Sequence, residues 1–344
     1  MIGRMMALSD RRRRVKPGRI AGFLLALAWT TGAAAGDPLL LRPPVTCEIG
    51  RDCFIQNYVD LDPSPSARDH MCGTLSQDGH DGTDFRLPTM AAQRAGVEVV
   101  AAADGRVLRQ RDGVADTPVT DAGRSAVQGS ECGNGLVIDH GNGWETQYCH
   151  LAEGSLRVKP GDAVKAGQPI GRVGLSGLTE YPHLHFTVRH DGRIVDPFAH
   201  EAPPGSCGAG SSLWGPAFRS GLAYQPRTIL NQGFAPGPVT MQAVEADGAR
   251  QGPVGAHGGA LVAYVRAIGL KAGDVHSLTL KDPAGRTIAQ NRVGPIERNQ
   301  AQALLFAGRR RPAEGWRPGG YQASYEVTRD GEVVLERRFS VDMR

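Results

Sequence analysis

Apolar and polar residues alternate in short bursts along most of this chain, and Gly-containing turns separate the bursts. Residues 96–110 (GVEVVAAADGRVLRQ), 135–151 (GLVIDHGNGWETQYCHL), 162–174 (DAVKAGQPIGRVG) and 183–197 (HLHFTVRHDGRIVDP) each read as strand, tight turn, strand. The Asn-Gly and Asp-Gly steps in HGNG, HDGR and AADG supply the positive backbone angles that two-residue hairpins need. Long stretches with a 3.6-residue apolar period are scarce, so the pattern predicts a mostly β protein. Residues 110–132 are polar and read as a loop inserted between strands.

The rhythm breaks after Asp196-Pro197. EAPPGSCGAGSSLWG is rich in Pro, Gly and Ser and reads as a linker over 201–216. Alternation then resumes in ALVAYVRAIGL, SLTLKDPAGRTIA, QALLFAG and YQASYEVTRDGEVVLERRFSV, spacing that predicts a small β-sandwich over 217–344. That region holds only His257 and His276 among the ten histidines, and it is read as a module that binds cell wall or a protein partner.

The first 36 residues have a different character. RRRRVKPGR precedes the apolar run IAGFLLALAW and the small residues TTGAAAGD, the order expected of a signal peptide cleaved near Ala35. The run is too short for a permanent membrane span, so none is expected after cleavage. Seven of the 39 basic and one of the 35 acidic residues lie in this segment; the remainder carries 32 basic against 34 acidic side chains. The overall charge of +4 therefore belongs to the leader, and the chain offers no basic surface that would imply nucleic-acid binding. Six cysteines in an exported chain point to disulfides in the periplasm or outside the cell. Cys47–Cys53 is an attractive pair, Cys132 and Cys149 flank one hairpin, and no CxxC spacing suggests structural zinc. Residues 37–78 form a cysteine-bearing lead-in with the loop DLDPSPSARD.

Candidate chemistry sits in three places. In YPHLHFTV, strand parity puts His183 and His185 on one face, with Leu184 and Phe186 on the apolar side. Two adjacent imidazoles would repel if both were charged, and a metal ion accepts them neutral. In GHDGTDF, a glycine turn sets His80 and Asp84 four residues apart, so an imidazole and a carboxylate can share one ion. With one imidazole from the later strand, a His-Asp-His set leaves an open coordination position, as catalytic zinc sites do. In WETQYCHL, parity predicts that Tyr148 and His150 share a face and that Cys149 points away from it, toward a disulfide or a buried thiol.

Taken together and in this order, these segments resemble the lysostaphin-like, or LytM-type, zinc metalloendopeptidases that cut peptidoglycan peptides. The family's His-x-x-x-Asp matches His80 and Asp84, its HG-G…Y-HL region matches DHGNGWETQYCHL, its hairpin matches GDAVKAGQPIG, and its His-x-His matches HLH. The resemblance covers about residues 79–200, and it implies an antiparallel β-sheet groove of the LytM, or duplicated-hybrid-motif, type. It further implies one zinc ion held by His80, Asp84 and His185, with His150 and His183 as the catalytic pair beside it. The substrates it implies are peptidoglycan peptides. No HExxH helix is present, so those two histidines stand where a glutamate base would otherwise act.

Two other readings compete. A catalytically silent relative that activates another wall hydrolase would lack several of these residues, and this chain keeps all five. The hairpin VKPGDAVKAGQPIGRVG also looks like that of biotinyl, lipoyl and phosphotransfer carriers, which the leader, the cysteines and Asp84 argue against. His140 reads as a structural turn residue, and His70, His190 and His200 read as surface residues. Asn57, in IQNYVD, is noted because relatives can block their zinc with an upstream residue.

Overall fold

The structure is a computed structural model that describes residues 39–247 and 258–343. The leader expected over 1–36, and His257, lie outside the described residues. No helix among them is long and apolar enough to cross a membrane.

Ten strands build the first half: β1 (Phe54–Ile55), β2 (Thr83–Arg86), β3 (Glu98–Val100), β4 (Gly105–Arg111), β5 (Asn134–Gly141), β6 (Trp144–Leu151), β7 (Ala163–Val164), β8 (Pro169–Arg172), β9 (His183–His190) and β10 (Arg193–Val195). Eight of them form one antiparallel sheet in the order β1-β2-β9-β6-β5-β4-β7, with β10 folded back on β9. β3 and β8 pair separately. The hairpins β5–β6 and β9–β10 form as their Gly turns require. The other two expected hairpins do not. β3 turns away from β4 to pair with β8, and β7 leaves β8 to pair with β4. Alternation and a glycine turn identify strands but say nothing about partners, and here the apolar faces close against each other across two sheets. Phe85, Val99, Ile138, Leu151, Ile170, Leu184 and Phe186 meet in one core with less than 1% of their surface exposed.

The insertion at 110–132 is more ordered than a loop. It carries α2 (Val119–Ala122), which follows α1 (Met90–Ala95), and a 3-10 turn over Arg124–Val127. Its backbone is tied to the 176–179 segment through Val119 N–H to the Thr179 carbonyl and Leu178 N–H to the Glu131 carbonyl, both 2.8 Å. The Pro/Gly/Ser-rich segment after Asp196 also engages the core: Leu213 and Trp214 are buried in it, and Cys207 bonds Cys72.

The second half adds β11 (Thr228–Ala235), α3 (Met241–Asp247), β12 (Ala260–Leu270), β13 (Val275–Lys281), β14 (Thr287–Val293), β15 (Gln300–Arg310), β16 (Gly319–Arg329) and β17 (Glu332–Met343). A three-stranded sheet, β11-β12-β15, and a four-stranded sheet, β14-β13-β16-β17, bury alternate residues against each other. This is the antiparallel sandwich that the spacing predicts, and the whole protein is mostly β. It joins the first sheet through charge. The buried Arg86 guanidinium donates to Gln56, Glu245 and Gln302, and the buried Arg266 donates to Glu245 and to the Pro88 carbonyl. Two guanidiniums share one carboxylate, and the Arg86 cation also lies 3.8 Å above the Tyr181 ring.

Candidate active site

The register of three neighbouring strands assembles the site. Asp84 on β2 lies opposite His185 on β9, and His185 lies opposite Cys149 on β6. Residues in register across antiparallel strands point to the same face. Arg86 and His183 make the next such row, and Leu184 and Phe186 face the core as strand parity expects.

Parity fails at His150. Tyr148 pairs with Phe186 and sinks into the core, where its hydroxyl oxygen accepts from the Ala102 N–H and the Thr146 hydroxyl. Cys149, in register with His185, lines the groove, and His150 lines it as well. The expectation that Tyr148 and His150 share a face with Cys149 opposite is therefore wrong. His150 has φ 62°, a left-handed backbone that breaks the two-residue alternation and turns its ring back to the groove side. The expected fate of Cys149 does hold, because it is bonded to Cys132; Cys47–Cys53 is also formed.

Four imidazoles and one carboxylate converge. His80 Nε2 is 3.1 Å from Asp84 Oδ2, and His185 Nδ1 is 2.9 Å from Asp84 Oδ1. One donor atom from each of His80, Asp84 and His185 lies within 4.8 Å of the others. The opposite nitrogens are anchored. His80 Nδ1–H donates to the Tyr58 carbonyl at 2.8 Å, and His185 Nε2–H donates to Asp81 at 2.9 Å. Such outer partners set ring orientation and leave the inner nitrogen free to bind. Asp81 has no place in the sequence reading; its only signal was adjacency to His80. Gly82 is required between Asp81 and Asp84, since a Cβ there would meet His185 Nε2 at 2.6 Å.

His183 Nε2 is 3.5 Å from Asp84 Oδ1, while its Nδ1 faces the Tyr181 carbonyl and the Thr179 hydroxyl at 3.0 and 3.1 Å. His150 Nδ1–H donates to the Ser176 carbonyl at 2.8 Å, and its ring centre is 4.7 Å from that of His183. His150 therefore keeps Nε2 unpartnered beside the groove, while His183 turns its Nε2 toward Asp84. Asn57 donates to Asp84 Oδ2 at 2.8 Å, against the oxygen that faces His80.

Charge within the cluster follows from burial and neighbours. Burial pushes the Asp84 carboxyl up, but the charges of His80 and His183 and the His185 and His80 hydrogen bonds outweigh it and hold the group well below the usual carboxylate range. Burial lowers His185, yet bonds to Asp81 and Asp84 raise it to about 9. Burial also opposes the charge on His80, and Asp84 carries that ring above its usual value. Burial dominates at the other pair: His150 is driven well below the usual imidazole value, reinforced by His183 and His185, and His183 is lowered despite Asp84. Carboxylates thus raise two of the rings, and burial lowers the other two.

The site opens into a groove of about 500 Å³, and the insertion supplies one wall through Val119, Arg124, Glu131 and Cys132. The remaining histidines stand apart. His140 bridges the Asp104 carbonyl and the Thr146 hydroxyl, a structural role. His190 and His200 are half-buried around Trp144. His70, expected at the surface, is buried instead, because Tyr58, Phe198 and Tyr224 enclose its ring.

The sequence profile of peptidase family M23 matches residues 78–197, the stretch that contains all five site residues. The chain carries a peptidase family M23 domain. Similar curated proteins include the peptidoglycan DD-endopeptidase ShyB of Vibrio cholerae, 34% identical over 124 residues, covering 36% of this chain and 24% of that one. The DD-carboxypeptidase/endopeptidase Mpg of Neisseria meningitidis is 33% identical over 129 residues, covering 36% and 23%. The chain thus spans about a quarter of the length of the curated relatives it matches. Among solved structures, a zinc-containing peptidase from Vibrio cholerae is 28% identical and covers 48% of this chain and 39% of its own, with a TM-score of 0.29. The M23 domain is a metallopeptidase domain at the family level, and its His-Asp-His cluster has the donors to match.

Proposed function

We propose that this protein is an exported zinc metalloendopeptidase that hydrolyses peptide bonds in peptidoglycan cross-links or stem peptides. The observation that carries this reading is the pairing of two sets of side chains in one groove. His80, Asp84 and His185 bring three ligand atoms together, and His150 and His183 stand beside them with Nδ1 of each ring against a backbone carbonyl.

The cluster fits a zinc ion by its own chemistry. Two imidazole nitrogens and one carboxylate oxygen are the donors that catalytic zinc takes in threes, and their outer atoms are already hydrogen-bonded. When bound, zinc supplies Lewis acidity that polarises the scissile carbonyl and acidifies the attacking water. One of His150 and His183 takes up the water's single proton at Nε2 and passes it to the leaving amine, and the other, when it carries a proton of its own there, donates to the oxyanion. Their low basicity suits them to begin neutral. Three disulfides support action outside the cytoplasm.

Digestion of defined muropeptides by the purified protein, with products identified by mass spectrometry, tests this directly. Cleavage at one peptide bond, abolished by a chelator and restored by zinc, is the expected result. A metal-free protein that cuts nothing and only stimulates an amidase would overturn it in favour of the activator reading.

A further inference from the structure

His150 is held in a conformation that a histidine does not adopt unaided. On β5 the register steps two residues, from Leu136 to Asn134, while on β6 it steps three, from Tyr148 to Leu151. The extra residue is a bulge at Cys149–His150, and its left-handed φ of 62° costs a non-glycine residue about 1 kcal/mol or more. Bulges of this kind re-aim side chains next to active sites.

Cys132 grips the bulge at two points. Its carbonyl accepts the His150 N–H at 2.8 Å, and its sulfur is bonded to Cys149, the residue immediately before His150. Gln147 Nε2 rests against both sulfurs at 3.4 and 3.2 Å. Cys132 is itself seated. Gly133, at φ 61°, lies so close to Ser176 that a Cβ would fall 2.4 Å from its backbone, and Ser176 Oγ accepts the Asn134 N–H. The Ser176 carbonyl in turn receives the His150 ring, and the His150 carbonyl accepts the Gly174 N–H at 2.9 Å. Every polar group of His150 but the free Nε2 is thus fixed by a frame that the disulfide closes.

We infer that the Cys132–Cys149 disulfide is a positioning device for His150, holding the bulge that turns its ring into the groove. This rests on the proposed role of His150 in peptide hydrolysis. Cys132 and Cys149 are positioning residues, since they act through the histidine. Without the bond, the bulge relaxes toward regular alternation and the ring leaves the groove face, while His80 in the turn before β2, Asp84 on β2 and His185 on β9 keep their places.

The test compares Cys132→Ser/Cys149→Ser with Cys47→Ser/Cys53→Ser, a disulfide in the lead-in that touches none of the five site residues. A second pair, Cys132→Ala/Cys149→Val, fills the same space with apolar atoms. Three quantities are measured: kcat and KM on a cleaved muropeptide, zinc per chain, and amide hydrogen exchange. For both Cys132/Cys149 pairs, kcat falls ten- to hundredfold with KM within twofold and zinc still stoichiometric. Exchange of the amides at 150–152 and 174 accelerates at least tenfold, while the core strands stay protected. The Cys47/Cys53 pair leaves kcat within twofold. Unchanged kcat and exchange in the Cys132/Cys149 pairs would overturn the inference. So would an equal loss in the Cys47/Cys53 pair, or failure of both Cys132/Cys149 pairs to fold. If wild-type protein cuts no muropeptide, the proposed function falls, and the exchange and zinc measurements still decide the clamp.

Discussion

In the C-terminal sandwich the buried carboxylate of Asp274 accepts Arg227 through two nitrogens at 2.7 Å each, Arg329 at 2.9 Å and the Lys271 N–H at 2.7 Å. In the M23 domain the buried carboxylate of Asp84 meets His80, His183 and His185 and the amide of Asn57. Asp84 lies on β2 and Asp274 in the turn just before β13, and both carboxyls are lowered against the opposing effect of burial. The partners differ. Guanidiniums keep their charge at any ordinary pH, so Asp274 is neutralised permanently and its lone pairs are spent on structure. Imidazoles can give up a proton, so the charge around Asp84 can be exchanged for that of a metal ion. A third buried carboxylate, Asp196, has an oxygen with no hydrogen-bond partner and stands 3.9 Å from His70; burial raises it to about 7. Buried charge alone does not mark chemistry. Exchangeable partners facing a groove do.

The largest expected effect tests that contrast at its functional end. Asp84→Ala and His185→Ala should each lose bound zinc and more than about a thousandfold of muropeptide cleavage, while circular dichroism shows the fold retained. His150→Ala should keep stoichiometric zinc and lose about a hundred- to ten-thousandfold in kcat. Zinc lost from His150→Ala but kept in His185→Ala would break the division between binding and catalytic rings.

At the structural end, Asp274→Ala strands two arginines without their counter-charge. Urea denaturation should show a loss of about 3–5 kcal/mol, with kcat per folded molecule unchanged. A loss of turnover in protein that remains folded would show that the sandwich does more than support.

Asp196→Asn gives the smallest effect and the opposite sign. The folded-state value of about 7 lies above the usual 3.8, so the folded protein holds this proton where the unfolded chain has released it. Asp196 therefore costs stability progressively as pH rises from about 4 to 7. The asparagine variant, which keeps an acceptor for the Phe198 N–H, should gain about 1–3 kcal/mol at pH 8 and nothing at pH 4. Equal stability of variant and wild type at pH 8 would show that His70 already compensates the charge.

Much of this was legible before any fold was drawn. The strands of the sandwich follow the alternating segments closely, and the common face of His183 and His185 follows from parity on β9. Parity is reliable there because the strand is regular and its even-numbered residues, Leu184 and Phe186, anchor it in the core. It misleads at 148–150, where one positive φ reverses the face of His150 and no residue type announces it. The partners of β3, β4, β7 and β8 were equally hidden, as was the Cys72–Cys207 bond across 135 residues. Asp81 could be read as an acid beside a histidine, but not as the group that orients His185.

The sequence by itself determined most of the strands, that His80, Asp84 and one of His183 and His185 carry metal-ligand chemistry, and that a glycine turn separates His80 from Asp84. These are properties of local periodicity and residue chemistry, complete within a few neighbouring positions. Tertiary structure alone decided that β2, β9 and β6 lie side by side in one register, which sets Asp84, His185 and Cys149 in a row. It also decided that a disulfide-clamped bulge returns His150 to that face. Both depend on closing contacts between residues far apart in the chain, and only the packed core selects among the many closures a local pattern allows.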